Sequence, residues 1–151
     1  VSTAFGNSAH KTNGVTTGTY KISEFHVKYH RPRFRALWML VEAELQQAEA
    51  ISIMNSTDMG EKAKGHSLEF AVDIWGREQE LWFFVRRAQF DLHDHVPEGR
   101  TRDKTLNKTI GTLGFSYLPL KDFVLKADYS YVRNALDDED DELAFSAGLS
   151  F

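Results

Sequence analysis

Toward the carboxy terminus, apolar side chains recur at every second position. Leu143, Phe145, Ala147, Leu149 and Phe151 stand against Ala144, Ser146, Gly148 and Ser150. A period of two places successive side chains on opposite faces of an extended strand. The pattern repeats upstream, where Phe123, Leu125, Ala127, Tyr129 and Tyr131 oppose Lys126, Asp128 and Ser130. Before that, Thr109, Gly111, Leu113, Phe115 and Tyr117 oppose Thr112, Gly114 and Ser116. Leu68, Phe70, Val72 and Ile74 alternate with Ser67, Glu69, Ala71 and Asp73, and Phe25, Val27 and Tyr29 with Glu24, His26 and Lys28. The segment Glu80 to Asp91 is apolar on both faces at its start (Trp82-Phe83-Phe84-Val85); Leu81, Phe83 and Val85 are taken as outward and Arg86 as inward.

Ala36 to Ala50 admits two readings. Its Ala, Leu, Glu and Gln content favours a helix, yet Leu37, Met39, Val41, Ala43 and Leu45 alternate against Glu42, Glu44 and Gln46. Beside six other strands, the strand is the expectation, because context overrides propensity. The pattern thus predicts seven full strands. A stub at Val1 to Phe5, followed by a loop from Gly6 to about Gly14, is shorter than the roughly 9–11 residues of a spanning strand. That points to a chain beginning in mid-strand, a fragment of something larger.

The connections sharpen this picture. Short ones at Arg31 to Arg33, Gly76 to Gln79 and Leu118 to Asp122 alternate with longer polar ones around Ile51 to Gly65, His93 to Thr105 and Asn134 to Asp141. Tight turns at one end and long loops at the other are the habit of transmembrane β-barrels. Aromatic residues near strand ends (Tyr29, Phe34, Trp75, Tyr117, Phe123 and Tyr131) match the interfacial girdles of such barrels. A lipocalin-like soluble barrel would turn the same apolar face inward; loop asymmetry and girdle favour lipid.

Composition narrows the functions. With 26% charged and 42% hydrophobic residues, no run reaches the ~18 apolar residues of a membrane-spanning helix, so strands are the only means of crossing. Cysteine is absent, which excludes disulfides, thiol nucleophiles and zinc–cysteine sites. The net charge of −4 argues against a nucleic-acid partner. Val1 to Gly6 has neither the basic start nor the apolar core of a signal peptide, consistent with a processed or truncated product.

Several stretches resemble the phosphate-selective-type porins of Gram-negative bacteria. They are Leu81 to Asp91 followed by His95-Val96-Pro97-Glu98-Gly99, Thr112 to Pro119, Val124 to Tyr129, and Trp38 to Ala48 around Val41-Glu42-Ala43-Glu44. The likeness covers Phe34 to Phe151 and departs from the family pattern at Arg87 and Ala88, where an aromatic and an acid are usual. It implies an all-β fold: an antiparallel transmembrane β-barrel of about 16–18 strands around a water-filled lumen, commonly trimeric. The implied location is the bacterial outer membrane. The implied partners are outer-membrane lipid and lipopolysaccharide, the barrel-assembly machinery, a homotrimer, and amino-terminal barrel strands preceding Val1. The terminal strand, with Phe145, Leu149 and Phe151, matches the signal read by that machinery.

The expected lumen side carries Glu24, His26, Lys28, Glu42, Glu44 and Glu69, and further along Asp73, Arg86, Lys108, Lys126 and Asp128. Charges lining a pore set ion preference by attraction in a confined space; here they serve equally to keep a lumen wet and to pair with one another, as expected of Lys126 and Asp128. Acids slightly outnumber bases, so phosphate is not the expected solute. No catalytic residue, metal site or cofactor is predicted: His93-Asp94-His95 reads as solvated loop, and Asp137 to Asp141 as a solvated acidic run with a lesser reading as a cation bridge to lipopolysaccharide. His26 and His30 lie about 13 Å apart on a strand, too far to share a metal. His66 beside Ser67 is a poor candidate for a lipid-modifying triad. The expected function is passive diffusion of small polar or ionic solutes. The alternatives are a small eight-stranded barrel with a structural or adhesive role, and a soluble ligand-binding β-barrel.

Overall fold

A computed structural model describes residues 2–7, 19–55, 58–76 and 79–149. One antiparallel sheet of eight strands holds the chain, each strand bonded to its neighbours in sequence: β1 (Ser2–Asn7), β2 (Thr19–Arg31), β3 (Phe34–Leu45), β4 (Lys62–Asp73), β5 (Glu80–His95), β6 (Asn107–Leu120), β7 (Phe123–Asn134) and β8 (Glu139–Leu149). The all-β antiparallel expectation holds, and β1, the expected stub, pairs with β2 from Ser2↔Glu24 to Asn7↔Thr19. The ambiguous segment is a strand to Leu45. A helix then starts later than either reading had it, α1 (Ala48–Asn55), after Gln47 takes a left-handed backbone (φ 63°) that breaks the ladder.

The sheet does not close. Among the described residues β1 and β8 are its two edges, where a complete barrel has none. Its turns fall at one end (32–33, 74–79, 121–122) and its longer connections at the other (46–61 and 96–106). The third expected long loop is instead a tight turn, 135–138. There Asn134 Oδ1 accepts from the amides of Leu136 and Asp138, and Asp137 sits at φ 62°.

Cross-strand register defines two faces. On one, the row Phe34↔Val72↔Phe83↔Phe115↔Ala127↔Phe145 runs across six strands, beside Ala36↔Phe70↔Val85↔Leu113↔Tyr129↔Leu143. On the other, Lys28↔Leu37↔Glu69↔Arg86↔Thr112↔Ser130↔Glu142 runs parallel to them. They are called the Phe115 face and the Arg86 face below. On the central strands the sheet is more enclosed on the Arg86 side: Ala71, Asp73, Trp82 and Phe84 are buried there, whereas Phe70, Val72, Val85 and Phe115 opposite them are exposed.

No conventional core exists among the described residues. The buried apolar set is Ala48, Ile51, Ala71, Trp82 and Phe84, and only the last three, with Leu118 against them, form a cluster. The accessible surface, 10703 Å², far exceeds the roughly 7,800 Å² expected of a compact monomer of 17.3 kDa.

Candidate functional site

Polarity is divided between faces differently in the two halves of the sheet. In the half nearer the turns, the Phe115 face is largely apolar from β2 to β8, with Phe25, Val27, Trp38, Phe70, Val85, Leu113, Phe115, Leu125 and Phe145 all exposed, and is interrupted by the exposed Arg87 between Leu68 and Gly111. Aromatic pairs fringe it at the turns. Tyr29 meets Phe34 with ring centroids 6.0 Å apart, and Trp75 meets Tyr117 edge-on at 5.5 Å. Four of the expected girdle positions thus form two ring pairs at this end. At the opposite fringe, on β7 and β8, Tyr131 donates to Glu139 at 2.6 Å and Tyr129 to Asp141 at 2.6 Å, while Arg133 pairs with Glu139.

The Arg86 face of the same half is ionic. Arg86 donates from Nε and Nη2 to Glu69 at 2.8 and 2.5 Å. Arg35 reaches Glu80 at 3.3 Å, and Trp82 Nε1 donates to the same carboxylate oxygen at 2.6 Å. The Arg35 guanidinium lies 3.6 Å from the centre of the Trp82 ring, and Arg86 6.0 Å from that of Phe84. A cation stacked on an aromatic face gains electrostatic attraction and shelters the ring from water; Trp82 is only 2% exposed in consequence. At the hairpin end Asp73 accepts from the amides of Trp75 and Leu81, and Arg33 donates to its carbonyl. Nearer the other end His26 Nδ1 pairs with Glu24 at 2.7 Å.

Of the sequence-predicted lumen residues, Glu24, His26, Lys28, Glu69, Asp73, Arg86, Lys108, Lys126 and Asp128 share this one face by register. No ion pair joins Lys126 to Asp128, so their expected partnership is absent. Glu42 and Glu44 are a correction. They lie on the Phe115 face, opposite Ser23 and Lys21 on one side and Lys64 and Lys62 on the other. The cause is the phase of β3: Val27 pairs with Trp38 and Phe25 with Leu40, so Trp38 and Leu40 point with the aromatic row and Leu37 and Met39 do not. Positions 37–41 are all apolar, and alternation could not choose between phases. The expected phase of β5, with Leu81, Phe83 and Val85 on one face and Arg86 on the other, agrees with the register; Arg35, Glu80 and Trp82 were missed, because only the cross-strand contact joins them.

On β3 to β5, the half nearer the long connections is inverted. Its Phe115 face carries Glu42, Glu44, Lys62, Lys64, His66 and Gln89, whereas Met39, Val41, Ala63, Phe90 and Leu92 line an apolar groove of about 290 Å³ on the other side. His93, Asp94 and His95 belong to the end of β5 rather than to a loop: His93 is buried, Asp94 pairs with Lys64 at 2.6 Å, and His95 lies 3.6 Å from Glu61. His66 and Ser67 project to opposite faces and form no dyad. Within the acidic run, Glu139 and Asp141 engage Arg133 and Tyr129, and among the described residues no group of acids and histidines could hold a metal ion. Phe145 and Leu149 are exposed on β8; Phe151 lies outside the described residues.

No family model matches the chain, and no solved structure matches it. It is similar to an uncharacterized protein of Aquifex aeolicus (strain VF5), 25% identical over 159 residues, covering 97% of this chain and 36% of that protein. The chain therefore spans little more than a third of the length of this curated relative.

Proposed function

We propose that this sheet is part of the wall of an outer-membrane β-barrel. Its Phe115 face meets hydrocarbon, and its Arg86 face lines an aqueous path for small polar or ionic solutes. The observation that carries the reading is the exposed apolar belt opposite an ion-paired face, in a chain with almost no core. Contiguous apolar patches beyond a few hundred Å² are rare on soluble monomers and mark surfaces that something apolar covers. Strand lengths support it: β2 to β8 run from 11 to 16 residues, enough for a tilted span. The resemblance to phosphate-selective-type porins points the same way. So does the relative's greater length, which leaves room for strands to complete a closed wall. Unpaired edges in lipid cost several kcal/mol per group, so β1 and β8 require partners. A closed eight-stranded barrel would join β1 to β8, which the open sheet disfavours.

Tryptophan depth tests the facing. Trp38 and Trp75 lie on or beside the belt and Trp82 on the opposite face, so single-tryptophan variants reconstituted with brominated lipid should be quenched at Trp38 and spared at Trp82. The reverse order, or no quenching at either, would overturn the assignment. Steady conductance across a planar bilayer would separate an open path from a plugged one.

A further inference from the structure

We infer that the connection 96–106 is a strap fastened to β5 through the neutral form of His93, and that acid unfastens it. The inference is independent of the membrane reading. Two attachments hold the strap to β5, and Arg100, bonded to Asp58 at 3.1 Å, ties it also to the segment 58–61. Arg102 pairs with Asp91, itself only 5% exposed, and the backbone amide of Asp103 donates to His93 Nδ1 at 3.2 Å. The second requires a particular protonation state. A ring nitrogen that accepts a hydrogen bond carries no proton, so neutral His93 holds its single proton on Nε2. The ring is 6% exposed and cannot easily swing aside. A Cβ built at Gly60 would stand 3.0 Å from its Cδ2 and 2.2 Å from the carbonyl oxygen of Leu92, so the backbone of 58–61 is laid against it with no room to spare.

Protonation places an N–H where the Asp103 N–H now points, and two donors then face each other. Histidine is the side chain whose charge ordinarily changes between about pH 5 and 8. The charged and titratable groups around the ring are Asp91, Asp94 and His95 on β5, Lys64 on β4, Arg100, Arg102, Asp103 and Lys104 on the strap, and Asp58 and Glu61 on the segment packed against it. Neither the Arg102–Asp91 pair nor the Arg100–Asp58 pair involves the ring, and both remain. Acid thus reduces the strap's ties to β5 from two to one.

The test follows the strap's own amide in the full chain. Hydrogen-exchange protection at Asp103, corrected for the pH dependence of intrinsic exchange, should fall roughly fivefold between about pH 8 and pH 5, the change expected for one net hydrogen bond. The fall should track the ¹⁵N signature of His93, which at high pH reports an unprotonated Nδ1. In His93→Gln, whose carboxamide oxygen accepts at any pH, protection should not vary with pH. Protection at Asp103 that ignores pH in the parent chain, a His93 signature with the proton on Nδ1 at high pH, or the same fall in a folded His93→Gln would each overturn the inference.

Discussion

Substituting Phe115 by lysine gives the sharpest account of what the belt touches. The ring is 44% exposed, and its one aromatic neighbour is Phe83, centroids 5.3 Å apart. If the belt met water, the change would forfeit that contact, about 0.5–1.5 kcal/mol, and the ammonium would be hydrated freely. Phe115→Ala would forfeit the same contact, and the two variants would agree within about 0.5 kcal/mol. If the belt meets hydrocarbon, lysine adds about 2–4 kcal/mol near the bilayer midplane, and the variants separate by at least ~2 kcal/mol. Ala144→Lys is the control, on the Arg86 face across from Asp128, and should stay within about 0.5 kcal/mol of the parent. Urea titration in lipid vesicles, followed by tryptophan emission, measures all three. Lysine and alanine at 115 unfolding at the same denaturant concentration would refute a lipid-facing belt.

Other expectations follow from single contacts. A Cβ at Gly114 would lie 2.6 Å from the Ala127 carbonyl oxygen and 2.8 Å from Phe84 Cζ, so Gly114→Ala should cost about 1–3 kcal/mol in the same titration. Adding Phe84→Ala should not restore it, because the backbone contact remains. Arg86→Gln should change stability by less than about 1 kcal/mol, since its pair with Glu69 is solvent-exposed. In a conducting channel, however, its reversal potential should move toward cation preference. The Asp103 carboxyl is held below the usual carboxylate range by the Thr105 hydroxyl and then by the Thr105 amide, against some desolvation. A lowered carboxyl contributes order above its unfolded pKa and loses it as pH falls through the folded one. Protection of the Thr105 amide should therefore persist near pH 4 and fail only in stronger acid, whereas Asp103→Asn should lower it at every pH.

Strands with one charged face showed their phase in the sequence, although the first residues of β4, from Lys62, were read as part of a loop. β7, with Lys126 and Asp128 between Leu125, Ala127 and Tyr129, and β4, with Glu69 and Asp73 between Leu68, Phe70 and Val72, carry their phase in their composition. β3 did not, because Leu37 to Val41 is apolar throughout and only pairing with β2 fixes which residues turn which way. The reversal of polarity along the strands was equally hidden. Glu42 was assigned by assuming that one face keeps one character from end to end, and in β3 it does not. Loop lengths misled where a side chain shortened a turn, as Asn134 does at 135–138. Nor could periodicity foresee Arg35 over Trp82, which joins residues 47 positions apart.

The apolar stretch is shorter than the strands that bear it. From Phe34 to Leu40 it covers seven residues, ~23 Å along β3, and at a tilt near 40° only ~18 Å of height, while β5 continues through sixteen residues to His95. If the belt meets hydrocarbon as proposed, the surplus forms a collar rising clear of the oily zone, with Glu42, Lys62 and Lys64 on its outside. Strap, helix and His93 are mounted on that collar. In that setting they can shift or accept new charges without drawing a single polar group through hydrocarbon.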